Sequence, residues 1–319
     1  MKSRLSLVAV AVVTVALVGA PNAEAVKRPV NGQISFGKFD PALGDTSLWV
    51  ANSDGTAQRR LVNVISNFSD WAPDGRRIAF DFVDDLGVHL ATISPGGRSM
   101  QQITFGAGIQ EVPRWSPDGN WITFDASSVF PDDPAFSTDI WLMHPDGSGA
   151  RQLTQDGFDV EPVFSPDGTK VAFGRITGFT PDGSQLEALD VVNIDGSGLH
   201  EIVPPRAGLE HPDWSPDGRR VSFNISPEDQ NAPGSGSMLA VRSNGSGLKV
   251  IRPATERFRF FKPVWSPDGR KILLGCNDQS TQVDMICSVK ANGNGLTVVI
   301  DVSPTHVNYP AWGPLAEGD

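Results

Sequence analysis

Apolar residues along this chain fall in short clusters that return in a fixed order. Ile78-Ala79-Phe80, Ile122-Thr123-Phe124 and Val221-Ser222-Phe223 are β-type runs, each preceded by an aromatic segment and a Pro-Asp-Gly turn signal. After a variable stretch a second run follows: His89 to Ile93, Asp139 to His144, Leu189 to Ile194, Met238 to Arg242 and Asp284 to Val289. A tight turn such as Asp146-Gly147-Ser148-Gly149 or Asp195-Gly196-Ser197-Gly198 then leads to a last run such as Gln152-Leu153-Thr154. Asp-Gly and Asn-Gly between β-type runs signal hairpins, because Gly and Asn tolerate positive φ.

The order is an internal repeat. Asp70-Trp71-Ala72-Pro73-Asp74-Gly75 recurs around Trp115, Phe164, Trp214 and Trp265, and a truncated copy, Ala311-Trp312-Gly313-Pro314, lies near the end. The aromatic positions are spaced by 44, 49, 50, 51 and 47 residues. Four strands per unit of this length describe a β-propeller blade. Gln33-Ile34-Ser35-Phe36 matches the second strand of a unit. Ser47 to Ala51 and Leu61-Val62 supply the third and fourth, and Tyr309-Pro310-Ala311-Trp312 supplies the missing first. One blade is thus expected to be shared between the termini, closing the ring and removing exposed sheet edges. The expected fold is all-β: a six-bladed β-propeller with four antiparallel strands per blade over residues 26–319.

Composition narrows the picture. The chain has 319 residues with 33 Gly, 25 Pro and 39% hydrophobic residues, enough apolar mass for a core and unlike a coiled coil or a disordered tail. With 26 basic against 37 acidic residues, net −11, it lacks the basic footprint of a nucleic-acid binder or of a protein held on an anionic membrane. Lys2 and Arg4 precede an apolar run from Leu5 to Ala20, and Ala23-Glu24-Ala25 forms an A-x-A site. Residues 1–25 are read as a cleaved secretory signal peptide without a lipoprotein cysteine. The mature chain is expected to be exported, periplasmic or secreted, monomeric, and without a membrane span.

The five aromatic-[Ser/Ala]-Pro-Asp-Gly copies and the Asp-Gly-Ser-Gly turns resemble the WD-like propeller repeats of the TolB family, over about residues 31–319. That family comprises soluble periplasmic components of the Tol–Pal envelope system. The resemblance implies a six-bladed propeller and protein partners in the envelope. It covers the propeller only; the family's N-terminal α/β domain has no counterpart in this sequence. The repeats also resemble the propellers of prolyl-oligopeptidase-type peptidases, but no G-x-S-x-G nucleophile elbow occurs.

Function is expected in what varies between repeats. The repeated Trp or Phe is read as packing between sheets, and the repeated Asp as a turn-maker accepting backbone N–H groups. Such tight turns place strand connections one-to-two and three-to-four on one face of the disc. The irregular connections fall on the other: Lys38 to Thr46, Ser127 to Thr138, Arg175 to Ala188, Ser226 to Ser237 and Asn277 to Val283. That face carries Asp84, Asp85, Asp132, Asp133, Asp182, Glu187, Glu228, Asp229 and Asp278, with Phe130, Phe136 and Phe179 as apolar tips. It is either a solvated acidic rim or a recognition surface for a protein, peptide or glycan, with Ca²⁺ as a candidate helper. A second set lies three residues before each repeated aromatic, nearer the channel mouth: Phe68, Val112, Glu161, His211, Lys262 and Tyr309, with Glu111 and Glu210 beside it. Its chemistry changes from blade to blade, as an asymmetric ligand would require. His89, His144, His200 and His306 show no metal-ligand spacing.

The partner-binding candidates are Glu111, Phe130, Asp132, Asp133, Phe136, Glu161, Phe179, His211, Lys262 and Tyr309. No catalytic residue is assigned, and no cofactor beyond Ca²⁺ as a candidate. Cys276 and Cys287 are the only cysteines and are expected to form a disulfide across a hairpin in an oxidising compartment. The expected function is non-enzymatic binding of a protein or peptide at the loop face. The alternatives are a carbohydrate-binding protein, or a polysaccharide lyase or hydrolase using the channel mouth.

Overall fold

In the computed structural model, the description covers residues 31–130, 133, 136–155, 157–227, 232–301 and 306–315. The signal-peptide reading of residues 1–25 lies outside them, as do Asp132, Glu228 and Asp229. Every regular element among the described residues is a strand, so none is a helix long and apolar enough to cross a membrane.

The strands form a β-propeller. Asn31–Asp40 pairs antiparallel with Val307–Pro314, Ile34 opposite Trp312, so both ends of the described chain meet in one sheet. Asp45–Ala51 and Arg59–Arg60 complete that sheet. Three further four-stranded sheets begin at Asp159–Phe164, Leu209–Trp214 and Phe258–Trp265, and each meanders outward through three more antiparallel strands.

The expectation of six four-stranded blades is corrected here: the structure has four. The units that open at Trp71 and Trp115 run together in one eight-stranded sheet. The junction is a parallel pairing of Gly87 and Val88 with Gly108 and Ile109. Two glycines permit it. A Cβ on Gly87 would lie 1.9 Å from the Gly108 carbonyl oxygen, and both residues have positive φ (140° and 122°). The segment 175–188 also differs from expectation. It is not an irregular loop but an extended hairpin, Lys170–Phe179 against Gln185–Asn193.

The apolar core is divided into six buried clusters, each joining residues of consecutive repeats. Trp71 packs with Leu48 and Val50, Trp265 with Met238 and Ala240, and Trp312 with Val264 and Leu273. A large ring on the first strand of one unit thus fills the wedge against the unit before it. The residue before the Phe of each preceding second strand decides whether the indole N–H is satisfied. Trp71 Nε1 donates to Ser35 Oγ and Trp265 Nε1 to Ser222 Oγ, each at 3.0 Å. Where that position holds Ala79, Ala172 or Leu273, the Nε1 of Trp115, Trp214 or Trp312 has no partner among the described residues.

The Pro-Asp-Gly carboxylates act locally. Asp74, Asp118, Asp167, Asp217 and Asp268 each accept the backbone N–H two residues on, at 2.9 to 3.1 Å. Cys276 and Cys287 form a disulfide with a Cα–Cα distance of 6.0 Å. They are not directly opposite: Cys276 faces Met285 and Cys287 faces Leu274, so the bond crosses the pair diagonally.

Two predictions follow from this packing. Ser222→Ala leaves a buried indole N–H without an acceptor and is expected to lower stability by about 1–2 kcal/mol in urea unfolding monitored by tryptophan emission. An unchanged midpoint would show that the bond contributes nothing. Native protein is expected to yield no alkylatable thiol before reduction and two after it, read by intact mass; two thiols without reductant would refute the disulfide.

Candidate functional site at the channel mouth

The innermost strand of most units carries a β-bulge at the variable position. Val112, Glu161, His211, Lys262 and Tyr309 all have positive φ, between 44° and 56°. The register of each host strand shifts there. Non-glycine residues with positive φ are uncommon and strained, and a bulge re-aims the side chain it carries. A proline follows each of the five, at 113, 162, 212, 263 and 310. Proline has no N–H to lose where the ladder is interrupted, which explains why it is tolerated there. Phe68, followed by Ser69, is not among the positive-φ residues.

A second column faces this one from the neighbouring strand: Asp81, Asp125, Gly174, Asn224, Gly275 and Gly37, each following the Phe or Leu of a second strand. Its polar members hold the column backbone. Asp81 Oδ1 accepts from Phe68 N at 2.8 Å, Asp125 Oδ2 from Glu161 N at 2.8 Å, and Asn224 Oδ1 from Lys262 N at 2.9 Å. Its glycines make room for a neighbour. A Cβ on Gly174 would lie 1.8 Å from Glu187 Oε1, and one on Gly275 would lie 2.1 Å from the Phe261 ring. Glu187 therefore reaches inward across Gly174, to the place a carboxylate of the column occupies in other units.

Members of the two columns and their neighbours wall a cavity of about 650 Å³ that opens on the irregular-loop face. Glu111, Glu161, His211 and Tyr309 line it, with Asp125, Glu187, Glu210 and Asp284. The remaining candidates stand elsewhere. Phe130 and Phe179 are exposed away from the cavity, Asp133 is exposed, and Phe136 is half-buried with its ring 6.1 Å from Phe158. Lys262 is buried below the mouth, its Nζ 4.6 Å from the Phe68 ring and 4.9 Å from the Tyr309 ring. Of the expected rim acids, Asp84, Asp85 and Asp182 are exposed. Asp278 is buried instead; hydrogen bonds from Ser280 and Arg257 hold its carboxyl down at about 2. Sequence reading missed Asp125 and the inward turn of Glu187. The signal for both was the Asp/Gly/Asn alternation after each second-strand Phe.

The charges are layered. In the deeper layer Asp70 Oδ2 accepts from Trp115 N at 2.8 Å and Asp213 Oδ2 from Trp265 N at 2.7 Å, tying one unit to the next. Arg114 lies 3.7 Å from Asp70. Burial pushes Asp213 up to about 7 and Asp81 up to about 6, and it pulls Lys262 down to about 7, helped by Arg114. In the upper layer, Glu111 and Asp125 are direct cross-strand partners. Like charges so placed repel. Burial first, then the Asp81 and Glu161 charges, push Glu111 up to about 7; burial and Glu111 push Asp125 well up.

His211 is held on both sides. Asn224 Oδ1 already takes the Lys262 N–H, and its Nδ2 donates to Glu210, so the imidazole Nδ1, at 3.2 Å from Oδ1, is the donor. Its Nε2 then faces Glu161 Oε1 at 3.0 Å with one proton between them. Burial lowers His211 to about 4 and raises Glu161. Among the described residues no three His, Cys, Asp or Glu converge as a metal ion would require.

No protein-family profile matches the chain. Among curated proteins, the Tol-Pal system protein TolB of Anaeromyxobacter dehalogenans is 34% identical over 137 residues, covering 38% of this chain and 27% of its own length. An uncharacterized protein of Agrobacterium fabrum is 26% identical over 200 residues, 61% of this chain and 64% of its own length. The chain thus matches less than two thirds of the length of either relative. Among solved structures, TolB from Acinetobacter baumannii superposes with a TM-score of 0.72 at 19% identity, over 89% of this chain and 67% of its own. An oligogalacturonate lyase in complex with manganese superposes with a TM-score of 0.54 at 16% identity, over 85% and 74%. The fold is a β-propeller of the TolB type.

Glu111 supplies a test of the buried charge. Its carboxyl titrates near 7 when folded against an ordinary 4.5, so the folded chain holds the proton more tightly. Its contribution to stability is full below pH 4.5 and is lost as the pH rises through 7. Glu111→Gln is expected to raise the melting temperature at pH 8 by a few degrees and to match the parent at pH 4.5. An equal gain at both pH values would refute the buried titration.

Proposed function

We propose that this chain is an exported, envelope-associated binding propeller whose channel mouth receives a protein or peptide partner. The observation that carries the reading is the cavity itself. It lies at the loop face, and its walls are the positions that differ from unit to unit while the surrounding scaffold repeats. Strained, bulged backbone aims those side chains at one place, which suits a site for one asymmetric ligand. Local similarity to TolB supports envelope partners, and the disulfide fits an oxidising compartment outside the cytoplasm. The net charge of −11 speaks against nucleic acid.

A carbohydrate-active reading draws on the likeness to oligogalacturonate lyase. The cavity wall opposes it: it carries six acidic side chains and, among the described residues, no Lys or Arg to pair with a polyanionic sugar. A photo-cross-linking residue placed at Gln282, on the wall, is expected to capture a discrete envelope protein. The same residue at Asn244, in a tight turn away from the cavity, is expected to capture none. Equal capture from both positions, or none from Gln282, refutes docking at the mouth.

A further inference from the structure

The cavity wall is chemically one-sided. Among the described residues it holds Glu111, Asp125, Glu161, Glu187, Glu210 and Asp284, and neither Lys nor Arg. Two of these acids are buried with an oxygen that has no donor among the described residues: Glu187 Oε1 and Asp125 Oδ1. Their other oxygens are used, Glu187 Oε2 by Gln185 and Asp125 Oδ2 by the Glu161 N–H. A buried acceptor left empty is costly, and native proteins rarely keep one without a use. Both sit on strands of neighbouring units: Glu187 reaches inward over the missing side chain of Gly174, and Asp125 stands cross-strand from Glu111 with its Oδ2 tied to the Glu161 N–H.

The missing donors belong to a cation with several N–H groups. The carboxylates do not gather tightly enough for one metal ion. They are spread around a ring, which suits hydrogen bonds that diverge from an ammonium or guanidinium group. Phe68, Phe261 and Tyr309 share the wall and offer apolar surface to the methylene stem, while Lys262 already lies against the Phe68 and Tyr309 rings from below.

Resting on the docking reading, we propose that the partner presents a Lys or Arg side chain, or an amino terminus, which enters the mouth and bonds Glu187 and Asp125. Binding of acetyl-Arg-Gly-Arg-amide, its Glu-Gly-Glu counterpart, spermidine and CaCl₂ is compared by calorimetry at low salt. The basic peptide is expected to bind and the acidic one not. Glu187→Gln and Asp125→Asn are each expected to weaken it at least tenfold, while Asp146→Asn, in a tight turn away from the cavity, leaves it unchanged. Melting curves select variants that fold. If Asp125→Asn does not fold, the isosteric Glu187→Gln decides. No binding of the basic peptide, equal binding of the acidic one, or indifference to Glu187→Gln overturns the proposal. So does competition won by Ca²⁺, which makes the mouth a metal site, or by spermidine, which makes the ligand a free polyamine. Continued capture from Gln282 when the basic peptide fails would sink this inference and leave the docking reading standing.

Discussion

The pairing of Asn31–Asp40 with Val307–Pro314 is the contact on which the rest of the molecule depends. A propeller has no single core. Its apolar residues lie in wedges between consecutive units, and each wedge is closed only when both neighbours are in place. The terminal pairing supplies the last neighbour on both sides. Through it Trp312 fills the wedge against Leu273 and Val264, and Leu48 and Val50 complete the wedge around Trp71. Closure also fixes how far each inner strand stands from the axis, and therefore the width of the channel.

That closed geometry makes the bulges useful. On a flat ladder the variable position would alternate with its neighbours and point into a wedge. A positive-φ residue breaks the alternation and turns the side chain toward the axis. The acceptors on the facing strand secure the turned backbone: Asp125 holds Glu161 and Asn224 holds Lys262, each reaching from one unit to the next. The same contacts that join units thus also position the candidate site. A substitution at these acceptors acts on scaffold and site together.

Charge is sorted by depth. The deeper layer balances Arg114 and Lys262 against Asp70, Asp81 and Asp213, with the Lys262 ammonium between the rings of Phe68 and Tyr309. The mouth above it has acids and a neutral histidine, with no Lys or Arg among the described residues of the wall. Burial first, and like carboxylates in the same low-dielectric space second, raise the proton affinity of Glu111 and Asp125. The arrangement is open to neutralisation by protons or by a cationic ligand.

The sequence alone determined the repeat, the all-β class, the meeting of the termini and the turn role of each Pro-Asp-Gly aspartate. These follow from local rules: strand runs, turn residues and a near-constant period. It also marked the variable column, because a position that breaks a repeat is visible without coordinates. Four separate blades and one continuous eight-stranded sheet were not legible. That depends on Gly87 and Gly108 meeting across a unit boundary, which no spacing announces. Nor was the site's composition. Glu187 reads as a rim acid until Gly174 is seen beneath it, and Lys262 reads as a mouth residue until its ring neighbours are seen around it. Sequence periodicity fixes which residues share a strand face. Which side chain crosses an empty glycine position, and which carboxylates then share one buried space, is decided by packing between strands distant in the chain.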